Sequence, residues 1–321
     1  MEQWTNYWQQ TRALNSFAEG QSALGYHGDL QHFWYKQIDS LPSVANILDI
    51  GTGNGALAVL CHQYGFSRSA QWDITAIDAA DIKPHLNYYS EKSINNAIKS
   101  IHFWGNTNIE SSPFEGHKFD FLCSQFALEY SNLSLSLLEC IRLLKPNGKL
   151  CAVMHSENSD IVLDSQAGLV ILNLFLSESD VLVRIKNLLE LAEKIISQGM
   201  VLNECSEFNL LNKSVLQEVV LLQQSQSGHF RYWFDRIISA IAPLLYELKL
   251  GNATIFLNYI KELGYYRERL TDQLNAIVND DRKKEVDAIL ISLGVEYYWS
   301  SLEVENKKFG CVLELYNSVQ C

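Results

Sequence analysis

Little in this chain interrupts regular structure. Five prolines are spread over 321 residues, and no Ser/Gly tract or internal repeat occurs, so no flexible linker is expected. No Cys-x-x-Cys pair is present. Seven dispersed cysteines suit reduced thiols rather than a disulfide framework, and the expected location is cytoplasmic. The eight histidines show no His-x-x-x-His spacing, so no metal is assigned. Basic charge is scarce: 25 Lys and Arg stand against 37 Asp and Glu, a net charge of −12. Such a chain repels a polyanion on average, and nucleic acid is not an expected partner. The run Arg282-Lys283-Lys284 is read as a solvated helix face. The apolar runs are too short and interrupted to span a bilayer, and the opening Met-Glu-Gln-Trp-Thr-Asn has neither the charge nor the apolar core of a signal peptide. No membrane partner is expected.

What is present is an ordinary globular balance, 47% hydrophobic and 19% charged. Residues 1–40 alternate polar residues with Trp4, Tyr7, Trp8, Phe17, Tyr26, Phe33 and Trp34, which predicts one or two short helices packed by their rings. Short apolar runs then alternate with helical stretches. Strands are predicted over 44–50, 73–78, 101–104, 119–124 and 149–155. Helices are predicted over 56–64, 82–99 and 133–144, and Lys145-Pro146-Asn147-Gly148 is a turn by composition. Such alternation means a parallel sheet covered by helices on both faces. From about Asp160 to Gly264 the pattern is helical, with Val181, Ile185, Leu188, Leu189 and Ala192 at helical spacing. A helix over 282–293 and a hairpin of 296–302 with 309–315 across 303–308 close the chain. The expected organisation is an N-terminal segment (1–40), an α/β domain (41–159 and 270–321) and a helical insertion (160–269).

Four strings carry chemistry. Ile47-Leu48-Asp49-Ile50-Gly51-Thr52-Gly53-Asn54-Gly55 runs a strand into a glycine turn and then a helix. Glycines there permit unusual φ and close approach of a ligand, and the helix start offers N–H groups. Taken alone, Gly51, Gly53 and Ala56 also satisfy a dinucleotide-binding Gly-x-Gly-x-x-Ala pattern. Asp78, ending Ile74-Thr75-Ala76-Ile77-Asp78, can accept from both hydroxyls of a ribose; capping a helix from Ile82 is the bland alternative, for which Asp81 competes. The third string is Phe103-Trp104-Gly105-Asn106-Thr107. The fourth begins Phe119-Asp120-Phe121-Leu122-Cys123-Ser124-Gln125-Phe126-Ala127-Leu128-Glu129-Tyr130 and resumes at Leu143-Leu144-Lys145-Pro146-Asn147-Gly148.

Together these strings resemble the class I, Rossmann-like S-adenosylmethionine-dependent methyltransferases, over roughly 44–155 and again 282–317. Asp49 with three alternate glycines is similar to that family's first motif, and the fourth string to its fourth strand and Leu-Lys-Pro-Gly-Gly turn, with Asn147 in place of a glycine. The resemblance implies a doubly wound, seven-stranded α/β sheet, mostly parallel with an antiparallel last strand and a helical insertion after strand five. It implies S-adenosylmethionine as cofactor, held by Asp49, Gly51, Thr52, Gly53, Gly55, Asp78, Ala79, Gly105, Asn106, Thr107, Gln125 and Phe126. Asn106 departs from the Asp the family commonly has, but its side-chain carbonyl can accept the same bond.

Catalytic candidates follow from position, since ligands bind at the C-terminal tips of such strands. Glu129 and Tyr130 follow strand four, and His155 follows strand five. His155 is a candidate base and Glu129 a candidate for orienting the acceptor; a structural histidine and a helix cap are the competing uses. Tyr26 and His27 are candidates for a lid, or for a staple fastening a terminal helix. In the insertion, His229, Tyr232 and Trp233 are candidates for an acceptor pocket or a dimer seam, against ordinary helix packing.

The expected reaction is methyl transfer to a small molecule. A protein or tRNA acceptor, a non-catalytic nucleoside-binding module and, weakly, a nicotinamide-dependent oxidoreductase remain alternatives. No Asp/Asn-Pro-Pro-Tyr string follows strand four, which counts against the nucleic-acid amino-methylases that this string marks.

Overall fold

The structure is a computed structural model describing residues 1–16 and 24–317; Phe17 lies outside them. The chain divides into an α/β unit, Met1–Val162 with Asn275–Cys321, and a helical unit, Leu163–Leu274.

In the α/β unit the helices α1 (Glu2–Gln10) and α2 (Gly28–Ile38) come first. There follow β1 (Val44–Ile50), α3 (Ala56–Ser67), β2 (Gln71–Ile77), α4 (Lys92–Ser100), β3 (His102–Trp104), β4 (Phe119–Gln125), α5 (Leu133–Leu143) and β5 (Leu144–Met154). After the helical unit come α11 (Asp280–Ser292), β6 (Glu296–Val304) and β7 (Lys307–Tyr316). One seven-stranded sheet results, ordered β3-β2-β1-β4-β5-β7-β6. β1 to β5 are parallel and β7 runs antiparallel between β5 and β6, as the resemblance implies. The order reverses between β1 and β4, and the crevice at such a reversal is where open α/β sheets bind ligands.

Side chains alternate across the strands, as the twofold period of β-structure requires. Ile47, Phe121, Cys123 and Val153 face α2, α3 and α4. Leu48, Leu122, Leu150 and Ala152 face α5 and α11. Both faces are buried, which is why the strands read as continuous apolar runs. Asn132 caps α5, its side chain accepting from Leu135 N–H, and Asn279 caps α11 in the same way.

Three local expectations are corrected. The helix expected over 82–99 is only α4, preceded by a single turn at Pro84–Leu86. Proline disfavours helix in the residue before it, and Asn95 clasps Tyr89 through both its N–H and its carbonyl. Lys145–Gly148 does not separate α5 from the strand: β5 starts at Leu144, and the register against β4 shifts between Phe119 and Phe121. Asn147, at φ +63°, carries that irregularity and donates its N–H to Asn317 O. The final hairpin turns on Glu305-Asn306 alone, both at positive φ, the left-handed pair that matches strand twist.

α6 (Asp160–Asn173) leads from the α/β unit into the helical unit, whose other helices are α7 (Val181–Ser197), α8 (Ser206–Gln224), α9 (Gly228–Tyr246) and α10 (Asn252–Asn275). Val181, Ile185, Leu188, Leu189 and Ala192 form the buried stripe of α7, packed in one core with Phe175, Phe234 and Phe256. Contrary to the sequence reading, one helical stretch, Asp160–Glu178, is long and apolar enough to cross a membrane by length and composition.

Candidate functional site

The glycine turn between β1 and α3 is built from its own neighbours. Gly51, Gly53 and Gly55 all take positive φ, at 69°, 54° and 100°, which side-chain-bearing residues rarely adopt. Two buried carboxylates hold the turn. One oxygen of Asp49 accepts from Thr52 Oγ (2.6 Å) and from Ala58 N–H (3.1 Å). Asp78, on the last residue after β2, accepts from Gly53 N–H (2.8 Å) and Ala80 N–H (2.8 Å). Burial pushes the Asp49 carboxyl up to about 7, against the bonds from Thr52 and Ala58. Burial likewise pushes Asp78 up to about 6, against the bonds from Ala80 and Gly53.

Asp81 caps no helix. It accepts from Gln9 Nε2 and pairs with Lys83, which holds its carboxyl below the usual range. Asn106, at φ +52°, donates its N–H to Ala80 O and lies 3.4 Å from Asp81 through its side chain. Gly105 lies so close to Ile82 N that a Cβ would fall 2.9 Å from it. Thr107 donates its N–H to Asp78 O, and Ala79 is half-buried between these groups.

α1 lies over this turn, which no spacing in the sequence indicates. A Cβ on Gly53 would fall 2.5 Å from the Trp8 ring. Asn54 donates to the carbonyls of Thr11 and Ala13, and Thr5 accepts from Asp81 N–H. Tyr26 is buried with Leu14, Leu30 and Trp34. Burial, and then the Asp49 charge, pushes its phenol well above the usual value. It serves as the staple rather than as an open surface, since its ring completes that core. His27 only precedes α2.

At the tips of β4 and β5 a second cluster forms. Gln125 accepts from Trp34 Nε1–H at 2.6 Å, and its own Nε2 is buried without a partner among the described residues. Phe126, at φ +54°, stacks on the His155 ring with centroids 4.2 Å apart. Tyr130 meets that ring edge-on at 5.9 Å, and Trp4 meets Tyr130 at 5.5 Å. His155 Nδ1 lies 2.6 Å from Glu129 Oε1, their side chains 6% and 0% exposed, and His155 N–H donates to the same oxygen at 2.9 Å. The contact suits an Nδ1–H donated to the carboxylate, and in that neutral tautomer the lone pair lies on Nε2. Glu129 Oε2 is buried without a partner among the described residues. An orphaned buried acceptor is costly and marks a place where something other than stability sets the residue.

The remaining candidates lie in the helical unit. Trp233 is buried in that unit's core, its ring tilted against Tyr266 and its N–H donated to Asp164; the dense aromatic cluster read as a candidate pocket or dimer seam packs, at this residue, into the core. His229 lies 3.2 Å from the same Asp164 carboxylate, and Tyr232 is 52% exposed.

A mostly parallel sheet with its switch point at a glycine turn, an acidic residue after β2 and a helix start beyond the turn has the layout at which open α/β sheets hold nucleotides. Residues 48–152 match the protein family described as "Methyltransferase domain". Residues 48–152 are thus an S-adenosylmethionine-dependent methyltransferase domain. No curated protein sequence matches the chain. Among solved structures it is similar to geranyl diphosphate C-methyltransferase from Streptomyces coelicolor A3(2), at 14% identity over 40% of this chain and 43% of that one, TM-score 0.31. It is similar to the [4+2]-cyclase SpnF, at 20% identity over 39% and 43%, TM-score 0.32. It is also similar to the CMeT domain of the citrinin polyketide synthase, at 12% identity over 90% and 51%, TM-score 0.42. The chain spans roughly half the length of the solved structures it matches.

The residues present fit this cofactor. Positive φ at Gly51, Gly53 and Gly55 shapes the turn, Gly55 itself offers no capping side chain at the start of α3, where Asp49 takes the Ala58 N–H, and the positive end of that helix suits an anionic group. Asp78 spends one lone pair of each oxygen on the loop and keeps acceptor capacity for ribose hydroxyls.

Proposed function

We propose that this protein transfers a methyl group from S-adenosylmethionine to a small molecule bearing an O–H or an acidic C–H, with His155 as general base. The observation that carries the reading is the buried His155–Glu129 pair, 2.6 Å apart at the tips of adjacent strands. A neutral amine already has a free electron pair and needs no base before attack. A hydroxyl or a carbon acid must lose a proton, and a fixed imidazole lone pair is what removes it.

When bound, S-adenosylmethionine supplies a methyl group on a positive sulfonium whose bonding pair stays with sulfur. The chain's own residues do the rest. Glu129 holds the proton on Nδ1 and favours the imidazolium that forms when Nε2 takes the acceptor's proton. Phe126 and Tyr130 wall the imidazole and keep water from it. Asp78, the glycine turn and the start of α3 fix the donor, and alignment of donor and acceptor supplies most of the acceleration. His229, Tyr232 and Trp233 take no part in this reading. Six cysteines among the described residues are unpaired, which supports a reducing, cytoplasmic setting.

The test is methyl-tritiated S-adenosylmethionine incubated with protein and a cell extract separated into small molecules and macromolecules. Label is expected in the small-molecule fraction and absent with His155→Gln. Label in protein or RNA, or undiminished transfer by the variant, overturns the proposal.

A further inference from the structure

Glu129 and His155 stand 26 positions apart, yet one stretch of chain holds both. Val278 N–H donates to His155 O at 2.8 Å, and Val278 also bridges Ser156 in parallel. Four residues on, Arg282 reaches back with its guanidinium. One nitrogen donates to Glu129 O and another to Ala276 O, each at 2.5 Å. The arginine's own backbone is pinned, because Asn279 Oδ1 accepts Arg282 N–H at 2.9 Å. Among the described residues Arg282 makes no ion pair; its charge is spent on two main-chain carbonyls.

Glu129 needs such a hold. It sits in the single turn Leu128–Tyr130, directly after Phe126 at φ +54° and Ala127 at φ −142°, ψ −44°. So short a turn makes few bonds of its own, and Arg282 satisfies the carbonyl of the residue whose carboxylate must face Nδ1. A planar fork of donors can join two carbonyls at once, whereas an ammonium is a point charge without that geometry.

We infer that Arg282 is a positioning residue for the Glu129–His155 pair, and that Ala276–Arg282 is the clamp setting their geometry. It touches no reacting atom and acts through Glu129. This inference rests on the reading of Glu129 and His155 as a proton-transfer pair. The clamp is also the first stretch of the α/β unit after the chain leaves the helical unit at Leu274.

The experiment is NMR of the full-length, 15N-histidine-labelled protein, following the His155 Nδ1 proton, which His155→Gln identifies by its disappearance. The wild type is expected to show a slowly exchanging proton. Glu129→Met, which keeps length but removes the acceptor, loses it. Arg282→Ala should lose it or exchange it at least about tenfold faster, as loss of one charge-assisted hydrogen bond implies. Arg282→Lys should fall between, and both Arg282 variants should keep S-adenosylhomocysteine affinity, showing that the cofactor half is intact. Wild-type exchange in Arg282→Ala, with the proton lost in Glu129→Met, overturns the inference and leaves the pair standing. A proton unchanged in Glu129→Met removes the pair itself. If Arg282→Ala does not fold, Arg282→Lys decides, and wild-type exchange there overturns the inference.

Discussion

The two halves of the site are built differently. The cofactor half is stapled mostly within two short stretches, Asp49 to Thr52 and Ala58 and Asp78 to Ala80, which one bond from Gly53 to Asp78 joins across 25 positions. The proton-transfer half is assembled from distant chain, with Glu129 and His155 26 positions apart and Arg282 153 positions from Glu129. A locally stapled turn is preformed, and its failures should be failures of binding. A remotely clamped pair depends on the finished fold, and its failures should be failures of turnover with binding intact.

The strongest test of that contrast is His155→Gln. Removing a general base lowers kcat by about 10²–10⁴-fold, while S-adenosylhomocysteine affinity by calorimetry should stay at the wild-type value. A parallel loss of affinity would join the two halves into one unit. Next in size is Gly53→Ala. Its φ of +54° and the Trp8 ring 2.5 Å from the added methyl combine backbone strain with a clash, each worth roughly 1–3 kcal/mol. Cofactor affinity should fall by about 100-fold and the unfolding midpoint should drop; a normal midpoint with normal affinity breaks the account of the turn.

A pH series sharpens the comparison further. Asp78 is pushed up to about 6, so protonation below that pH removes an acceptor from the ribose. Affinity should decline by up to about tenfold per pH unit as pH falls through 6. Stability of the free protein moves the other way. Both carboxyls bind protons more tightly folded than unfolded, so their contribution is largest near their ordinary 3.8 and declines as pH rises to about 7. Calorimetric titration and chemical denaturation at pH 5 and 7.5 would show the two trends; affinity unchanged at pH 5 would remove Asp78 from the cofactor. The smallest expected effect is that of Asn54→Ala, which frees the chain at Thr11 and Ala13 from the turn. It should weaken the cofactor a few-fold and raise protease cleavage within residues 1–13, about what the loss of one or two hydrogen bonds allows.

Legibility followed the same division. The strands, the glycine turn and Asp78 could be read because their signals lie within one stretch of chain: an apolar run, then glycines at alternate positions. The pairing of Glu129 with His155 could be approached only as two residues at neighbouring strand tips; that they touch depends on the β4–β5 register. Trp8 over Gly53 and Arg282 on Glu129 left no mark in spacing or composition. Arg282 in particular reads as one of three adjacent basic residues, and only Lys284 of that run is fully on the surface. In the helical unit the aromatic run from His229 to Phe234 carries two meanings at once, core and surface. The 3.6-residue period puts Trp233 and Phe234 inside and Tyr232 outside.

The antiparallel β7 has a consequence for how the molecule is made. Lys149–Met154 of β5 pair with Cys311–Tyr316, and the whole helical unit is synthesised between them. During translation the sheet therefore stops at an unpaired β5, an apolar edge of the kind that recruits stray strands. The strand that seals it, β7, emerges only after the helical unit, and a nascent chain stalled before residue 307 should be a client for chaperones.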